Sequence, residues 1–262
     1  MEREGGAMIT VGIDVGSITA KAAVVKDGAV IAGMLIPTGY NARQAGAHVF
    51  TEIMKEAGID PAEIARIIST GYGRNSVEIA DKAVTEITCH AAGAHYLNPE
   101  VRSVIDIGGQ DSKAIALDDN GHVKNFAMND KCAAGTGRFL EVMAHALEVD
   151  LDRFGSFALR ADHPSKISSL CTVFAESEVI SLIAKGEKRE NIIAGIHESI
   201  AARVGSLAGR TGLRPAVMMT GGVAKNIGVV KALEKKIGRP IEVLPQSQLT
   251  GAIGAALLAQ RT

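Results

Sequence analysis

Short hydrophobic runs alternate with longer amphipathic stretches along the chain. The runs at 8–13, 21–25 and 30–35 predict three strands, because each is brief and is bounded by turn signals such as Asp-Gly. Residues 43–57 carry apolar side chains at helical spacing and are followed by glycine, which predicts a helix. The same criteria predict a strand at 64–70 and a helix at 83–97.

The series of strands then begins again. A strand at 101–107 ends in Asp106-x-Gly108, as the first strand ends in Asp14-x-Gly16, and a hairpin follows each. One Asp-x-Gly is a common tight turn, whereas two copies in the same context indicate two similar lobes with a cleft between them. The predicted fold class is therefore α/β, a duplicated βββαβα arrangement. The other elements predicted are strands at 112–117, 123–128, 216–220 and 241–244, and helices near 135–149, 174–186, 190–212, 225–237 and 251–260.

This duplication also predicts the domain boundaries. Residues 1–98 are predicted to form lobe I, and residues 99–249 lobe II. A last helix at about 250–262 is predicted to pack back on lobe I. Its Gly251-x-x-Gly254 motif suits close contact with another helix, because glycine carries no side chain.

Composition excludes several classes of protein. The chain has 262 residues, of which 47% are hydrophobic and 22% charged, as in folded rather than disordered proteins. Its net charge of −1 argues against nucleic acid or an anionic membrane surface as a partner. The N-terminus has no signal-peptide pattern, and no apolar run reaches the ~20 residues that span a bilayer. These features predict a cytoplasmic protein.

The first glycine turn is suited to binding phosphate. Glycine lets backbone N–H groups approach a ligand closely, and hydroxyl groups add further donors. Asp14, directly before the turn, is predicted to be catalytic, holding a nucleophilic or metal-bound water. Lys21 supplies a positive charge. The residues predicted to form this phosphate site are Gly16, Ser17, Ile18, Thr19, Ala20 and Lys21.

Two further glycine turns complete the predicted nucleotide site. Gln110 is predicted to position a water, and Asp111 to help hold Mg²⁺ through water. The third turn, after the strand at 216–220, offers backbone for adenosine and a helix N-terminus for phosphate. The residues predicted to contact the nucleotide in these turns are Gly108, Gly109, Gly221, Gly222, Val223 and Asn226.

Three cysteines are too few for a disulfide scaffold. Cys132 and Cys171 each precede a predicted helix, whose positive N-terminal end favours a thiolate. They could be small buried residues, a catalytic thiolate or metal ligands. Two thiolates cannot ligate an iron–sulfur cluster alone, but a two-fold symmetric dimer would supply four. Cys89 lies beside His90 in a predicted helix without further ligands at zinc spacing, so it is predicted to pack in the core.

The order of these motifs resembles the acetate-kinase, sugar-kinase, Hsp70 and actin ATPase superfamily, which implies two lobes that close on a nucleotide in the cleft between them. Longer stretches resemble the activator component of 2-hydroxyacyl-CoA dehydratases, a family that includes the ATPase subunits of benzoyl-CoA reductase. These stretches are IDIGGQDSK at 105–113, MNDKCAAGTGRFLEVMA at 128–144, CTVFAESEVISL at 171–182 and MTGGVAKN at 219–226.

The family resemblance implies a homodimer with one [4Fe-4S] cluster bound by Cys132 and Cys171 of each subunit. It implies one ATP or ADP with Mg²⁺ per subunit, and transfer of an electron from ferredoxin or flavodoxin to a partner dehydratase in an anaerobic, oxygen-sensitive system. It also implies that Gln248 contacts adenine or ribose; stabilising a turn is the alternative role for Gln248. Three alternatives stay open: a stable reductase subunit, a small-molecule kinase on the same fold, and a non-catalytic ATP-binding regulator.

Overall fold

The computed structural model describes residues 7–168 and 172–261. These residues form two compact units, each containing one five-stranded mixed sheet with helices packed on it, which confirms the predicted α/β class. The first unit consists of the chain up to Glu100, Asp118–Val123 and the chain from Gln248 onward. The second consists of Val101–Leu117 and Lys124–Ser247.

The first unit contains five strands and three α-helices. Helix α1 is capped at its start by the Asn41 side chain and ends at Gly58, which adopts the left-handed conformation that glycine tolerates. In chain order the elements are β1 (Ile9–Val15), β2 (Thr19–Lys26), β3 (Ala29–Pro37), α1 (Ala42–Ala57), β4 (Ile64–Thr70), β5 (Lys82–Ala83), α2 (Glu86–Leu97) and, at the end of the chain, α8 (Thr250–Ala259).

The second unit repeats the strands but carries more helices. Helices α3, α5, α6 and α7 contribute buried apolar side chains to one core, together with the inner strands of the sheet. In chain order the elements are β6 (Ser103–Ile107), β7 (Ser112–Leu117), β8 (Val123–Asn129), α3 (Gly137–Ala146), α4 (Leu151–Ala158), α5 (Thr172–Ala184), α6 (Arg189–Gly209), β9 (Val217–Thr220), α7 (Ile227–Ile237) and β10 (Ile241–Glu242).

The two sheets share one topology. The strand order is β3-β2-β1-β4-β5 in the first and β8-β7-β6-β9-β10 in the second. In each, the first strand pairs antiparallel with the second and parallel with the fourth. The registers also correspond, since Asp14 lies opposite Lys21 and Thr70, and Asp106 lies opposite Lys113 and Thr220. The duplication seen in the sequence is therefore a duplication of sheet and register.

Helix α8 packs closely on β1 and α2 in the first unit. A side chain at Gly12 would overlap the backbone of Ala252, and one at Gly254 would overlap the carbonyl group of Cys89. Gly93 in α2 allows an equally close approach to Thr250. The predicted close helix contact of the Gly251-x-x-Gly254 motif is thus present, and it is made with α2.

Some predicted boundaries were wrong. Helix α4 was not predicted, and a 3₁₀ turn at Gly222–Lys225 separates the third glycine turn from α7, which starts later than expected. The predicted strand at 241–244 is only two residues long. Within the described residues, no helix is both long enough and apolar enough to cross a membrane.

Candidate nucleotide-binding centres and cysteine site

An ion pair between Asp14 and Lys21 lies at the end of β1. The pairing of β1 with β2 places the two residues opposite each other, and Nζ of Lys21 is 3.3 Å from Oδ2 of Asp14. The adjoining turn is closed by the Gly16 N–H, which donates to the Thr19 carbonyl at 3.0 Å. The Thr38 hydroxyl donates to the Gly16 carbonyl at 2.8 Å. Backbone and side chain thus hold the first glycine turn in one conformation.

Glycines enclose the Asp14 carboxylate. Gly71 follows β4 with a φ of +92°, and a Cβ there would lie 2.5 Å from Oδ1 of Asp14. A Cβ at Gly251 would lie 3.0 Å from both Oδ2 of Asp14 and Nε2 of His90. Any larger residue at either position would press on the carboxylate. The buried His90 is therefore close to Asp14, a proximity that the sequence pattern did not reveal.

The predicted phosphate contacts of the first turn differ in accessibility. Gly16, Ser17 and Thr19 are partly exposed and Ile18 is exposed, so their surface can meet a ligand. Ala20 lies within β2 with a buried side chain that packs in the core of the first unit. Its predicted contact with ATP could only be made by backbone.

A related arrangement lies at the end of β6, with one more carboxylate. Nζ of the buried Lys113 is 3.2 Å from Oδ2 of Asp106 and 2.6 Å from Oδ2 of Asp111. The Thr220 hydroxyl donates to Oδ1 of Asp106 at 2.9 Å. The Gly108 N–H donates to the Asp111 carbonyl at 3.0 Å, which closes the second glycine turn. The sequence predicts Asp111 as a residue of the nucleotide site, whereas the two ion pairs of Lys113 do not follow from the sequence pattern.

The second glycine turn is bonded directly to the start of α3. The Gly137 N–H donates to the Gly108 carbonyl at 2.9 Å, and the Arg138 N–H donates to the Gly109 carbonyl at 2.8 Å. The N–H groups at a helix start have no partner within the helix, so the turn satisfies two of them. Gln110 is exposed at the tip of the turn, where its side chain can meet a ligand.

Cys132 lies in the loop that leads into α3. Its side chain is partly exposed, and its carbonyl accepts from Nδ2 of Asn129 at 2.8 Å. Only four residues separate Cys132 from Gly137, where the bonds to the second glycine turn begin. The nucleotide motif and the predicted ligand are therefore joined by a short, hydrogen-bonded segment.

The second predicted ligand, Cys171, lies outside the described residues. Residues 7–168 and 172–261 contain no group of three or more His, Cys, Asp or Glu side chains placed to hold a metal ion. The predicted ligand pair therefore stays a prediction.

Cys89 is a core residue, as predicted. It is fully buried, and burial raises the pKa of its thiol to about 12, so the thiolate is disfavoured at neutral pH. The thiol belongs to the hydrophobic contacts between α2, β4 and α8.

The third glycine turn leads into a capped helix. Gly221 has a φ of +85°, and its N–H donates to the Ser247 carbonyl at 2.9 Å, one residue before Gln248. The Asn226 side chain accepts from the first N–H groups of α7, and its Nδ2 lies 3.4 Å from Nε2 of His197. The side chain of Asn226 is thus largely committed to the helix cap. Gly222 is exposed, whereas Val223 is buried.

Comparison with known proteins identifies the family of this chain. The model of the BadF/BadG/BcrA/BcrD ATPase family matches residues 11–259. The chain belongs to this family. It is 49% identical over 253 residues to an activator of lactoyl-CoA dehydratase from Anaerotignum propionicum, covering 96% of this chain and 97% of that protein.

Two solved structures of activators are similar over nearly the whole chain. Component A of (R)-2-hydroxyglutaryl-CoA dehydratase from Acidaminococcus fermentans is 49% identical with a TM-score of 0.93, covering 97% of this chain and 98% of that one. The activator of 2-hydroxyisocaproyl-CoA dehydratase from Clostridium difficile, solved with bound ADPNP, is 47% identical with a TM-score of 0.90, covering 96% and 94%. The family and fold expected from the motifs are confirmed.

Proposed function

We propose that this protein is an ATP-dependent activator of a 2-hydroxyacyl-CoA dehydratase, and that it passes one low-potential electron to that partner enzyme. Its full-length similarity to three activators supports the class of partner. The observation that carries the coupling is the pair of hydrogen bonds from Gly137 and Arg138 to the second glycine turn. They connect a phosphate motif to the helix that follows Cys132.

Each of the three glycine turns is suited to binding part of ATP. Gly16, Ser17 and Thr19 are partly exposed. The glycine lets phosphate approach the backbone closely, the Ser17 and Thr19 hydroxyl groups meet phosphate oxygens, and Lys21 adds charge beside them. Asp14 holds a nucleophilic or metal-bound water, Gln110 positions a water, and the partly exposed Asp111 helps to hold Mg²⁺ through water. The residues at the third turn, with Gln248, contact the nucleoside. The ADPNP bound to the similar Clostridium difficile activator supports the binding of an adenine nucleotide by this chain.

Cys132 and Cys171 of two chains together hold one [4Fe-4S] cluster. Cys132 suits this part because its side chain is partly exposed, unlike that of Cys89. Val173 and Phe174, at the start of α5, are each 65% exposed, and apolar side chains so exposed favour a covered surface such as a homodimer contact. The cluster would itself carry the single electron that passes to the partner enzyme.

The fold couples nucleotide to cysteine through α3. If the second glycine turn changes conformation when the γ-phosphate binds or leaves, Gly108 and Gly109 pull on the first N–H groups of α3. The Cys132 loop then moves with the helix, because only a short segment joins them. The electron donor is ferredoxin or flavodoxin, and the system is cytoplasmic and oxygen-sensitive.

The test compares two cysteine variants purified without oxygen. Wild-type protein should be a brown dimer with about four irons per two chains. Cys132→Ser should lose iron and the activation of the dehydratase, whereas Cys89→Ala should keep both because the Cys89 side chain is fully buried among apolar residues. A Cys132→Ser protein that keeps its iron and still activates the partner would refute the assignment.

A further inference from the structure

Lys113 is a lysine enclosed by the protein. Its side chain is 2% exposed, and its ammonium group contacts both Asp106 and Asp111. A lysine buried to this extent is rarely found without paired charge, since removing the ammonium from water is costly. The Lys113 side chain therefore belongs to a built charge cluster rather than to the solvated surface.

Comparison with the first unit defines what is particular to this cluster. Lys21 and Lys113 each lie seven residues after the aspartate they oppose across an antiparallel pair of strands. Lys21 is 14% exposed and contacts Asp14. Lys113 is more deeply buried and contacts a second carboxylate, so its ammonium group cannot reach a phosphate without leaving two ion pairs. The two equivalent lysines are thus placed for different tasks.

The Asp111 carboxylate is held from two sides. Oδ2 is 2.6 Å from Nζ of Lys113, and Oδ1 lies so close to the second turn that a Cβ at Gly108 would be 2.7 Å away. The side chain is nevertheless 25% exposed, which leaves it open to a ligand. A carboxylate that is oriented and partly open, beside a phosphate motif, fits the oxygen ligands and waters that Mg²⁺ prefers.

We propose that Lys113 is a positioning residue that holds the Asp111 carboxylate where it binds the Mg²⁺ of the nucleotide complex. This inference rests on the proposed ATP-binding function and assigns a separate task to a residue outside the phosphate contacts. The ammonium group fixes one carboxylate oxygen, and the carboxylate then meets the cation without reorganising.

The test measures cation binding rather than turnover. Mn²⁺, which is visible by electron paramagnetic resonance, replaces Mg²⁺, and it is titrated into protein saturated with ADP. Lys113→Met should weaken Mn²⁺ binding about 10–100-fold, as loss of a ligand-orienting partner does. ADP binding in EDTA should change far less. Lys235→Met, which removes an exposed lysine paired with Glu198 in the same unit, is the matched control and should bind Mn²⁺ as wild type does.

A second variant separates positioning from stability. Lys113→Met alone leaves the buried Asp106 carboxylate without this partner, which can unfold the protein. The double variant D106N/K113M removes both buried charges and keeps an amide that can accept from Thr220. It should fold and still bind Mn²⁺ weakly. Wild-type Mn²⁺ affinity in the double variant would overturn the inference, and absence of ADP binding in the wild-type protein would overturn the proposed function with it.

Discussion

The buried histidine His197 should make the protein lose stability in mild acid. His197 belongs to α6, and its imidazole is almost fully buried. The ring lies edge-on to Phe154, with ring centroids 5.5 Å apart, and packs on Gly228. Burial lowers its pKa from 6.5 to about 3, so the ring stays neutral in the folded state. In the unfolded chain the ring takes up a proton below about pH 6.5.

The magnitude follows from this difference in proton binding. Because the unfolded state holds the extra proton between pH 6.5 and 3, the free energy of unfolding falls by about 1.4 kcal/mol for each pH unit in that window. Between pH 7.5 and pH 5 the contribution of His197 is about 2 kcal/mol. The full contribution is present above pH 6.5 and is lost as the pH falls towards 3.

Urea unfolding of the metal-free protein at several pH values measures the contribution of His197 to the free energy of unfolding. His197→Gln cannot take up the proton, so its unfolding free energy should fall less steeply with acid than that of wild type. His145→Gln replaces an exposed histidine of α3 and should follow the wild-type slope. Comparing slopes removes the contribution of the surface carboxylates shared by all three proteins. Equal slopes for wild type and His197→Gln would refute the reasoning.

Two further predictions concern packing and thiol reactivity. Gly254→Ala should destabilise the protein by about 3 kcal/mol in urea unfolding, because the new methyl group would overlap backbone of α2. Gly209→Ala has open space around it and should be neutral or stabilising by up to about 1 kcal/mol; equal effects of the two would contradict the packing. Iodoacetamide at pH 8 should label Cys132 in metal-free folded protein and spare Cys89, whose pKa of about 12 keeps it protonated. Mass spectrometry locates the label. Labelling of Cys89 in the folded protein would show that its thiol is accessible and would contradict its burial in the core.

The fold was largely predictable because the pattern of a strand, an Asp-x-Gly turn and a hairpin occurs twice in the sequence. Asp14 and Asp106 each end an apolar strand and precede a hairpin, so the paired sheets follow from local signals. Helix α4 was not predicted because it is only eight residues long and contains Gly155, which disfavours a helix. The 3₁₀ turn after Gly221 was not predicted because its glycine and small residues look like a helix start.

Lys113 could have been found from the same duplication. A lysine seven residues after Asp106 matches Lys21 after Asp14, but only the strand register shows that each pair lies face to face. The approach of His90 to Asp14 depends on α8 and α2, which are far apart in sequence from β1. The contact of His197 with Asn226 likewise joins two helices. Contacts of this kind depend on tertiary packing, and no local pattern predicts them.

The most direct test of the proposed function is activation of a purified 2-hydroxyacyl-CoA dehydratase without oxygen. The reduced protein is mixed with the dehydratase and either ATP, ADPNP or no nucleotide, and dehydration of the acyl-CoA is followed. Activity should appear with ATP and stay absent with ADPNP, without nucleotide or with Cys132→Ser. Equal activation with and without ATP, or full activation by Cys132→Ser, would contradict an ATP-driven electron transfer through this cysteine.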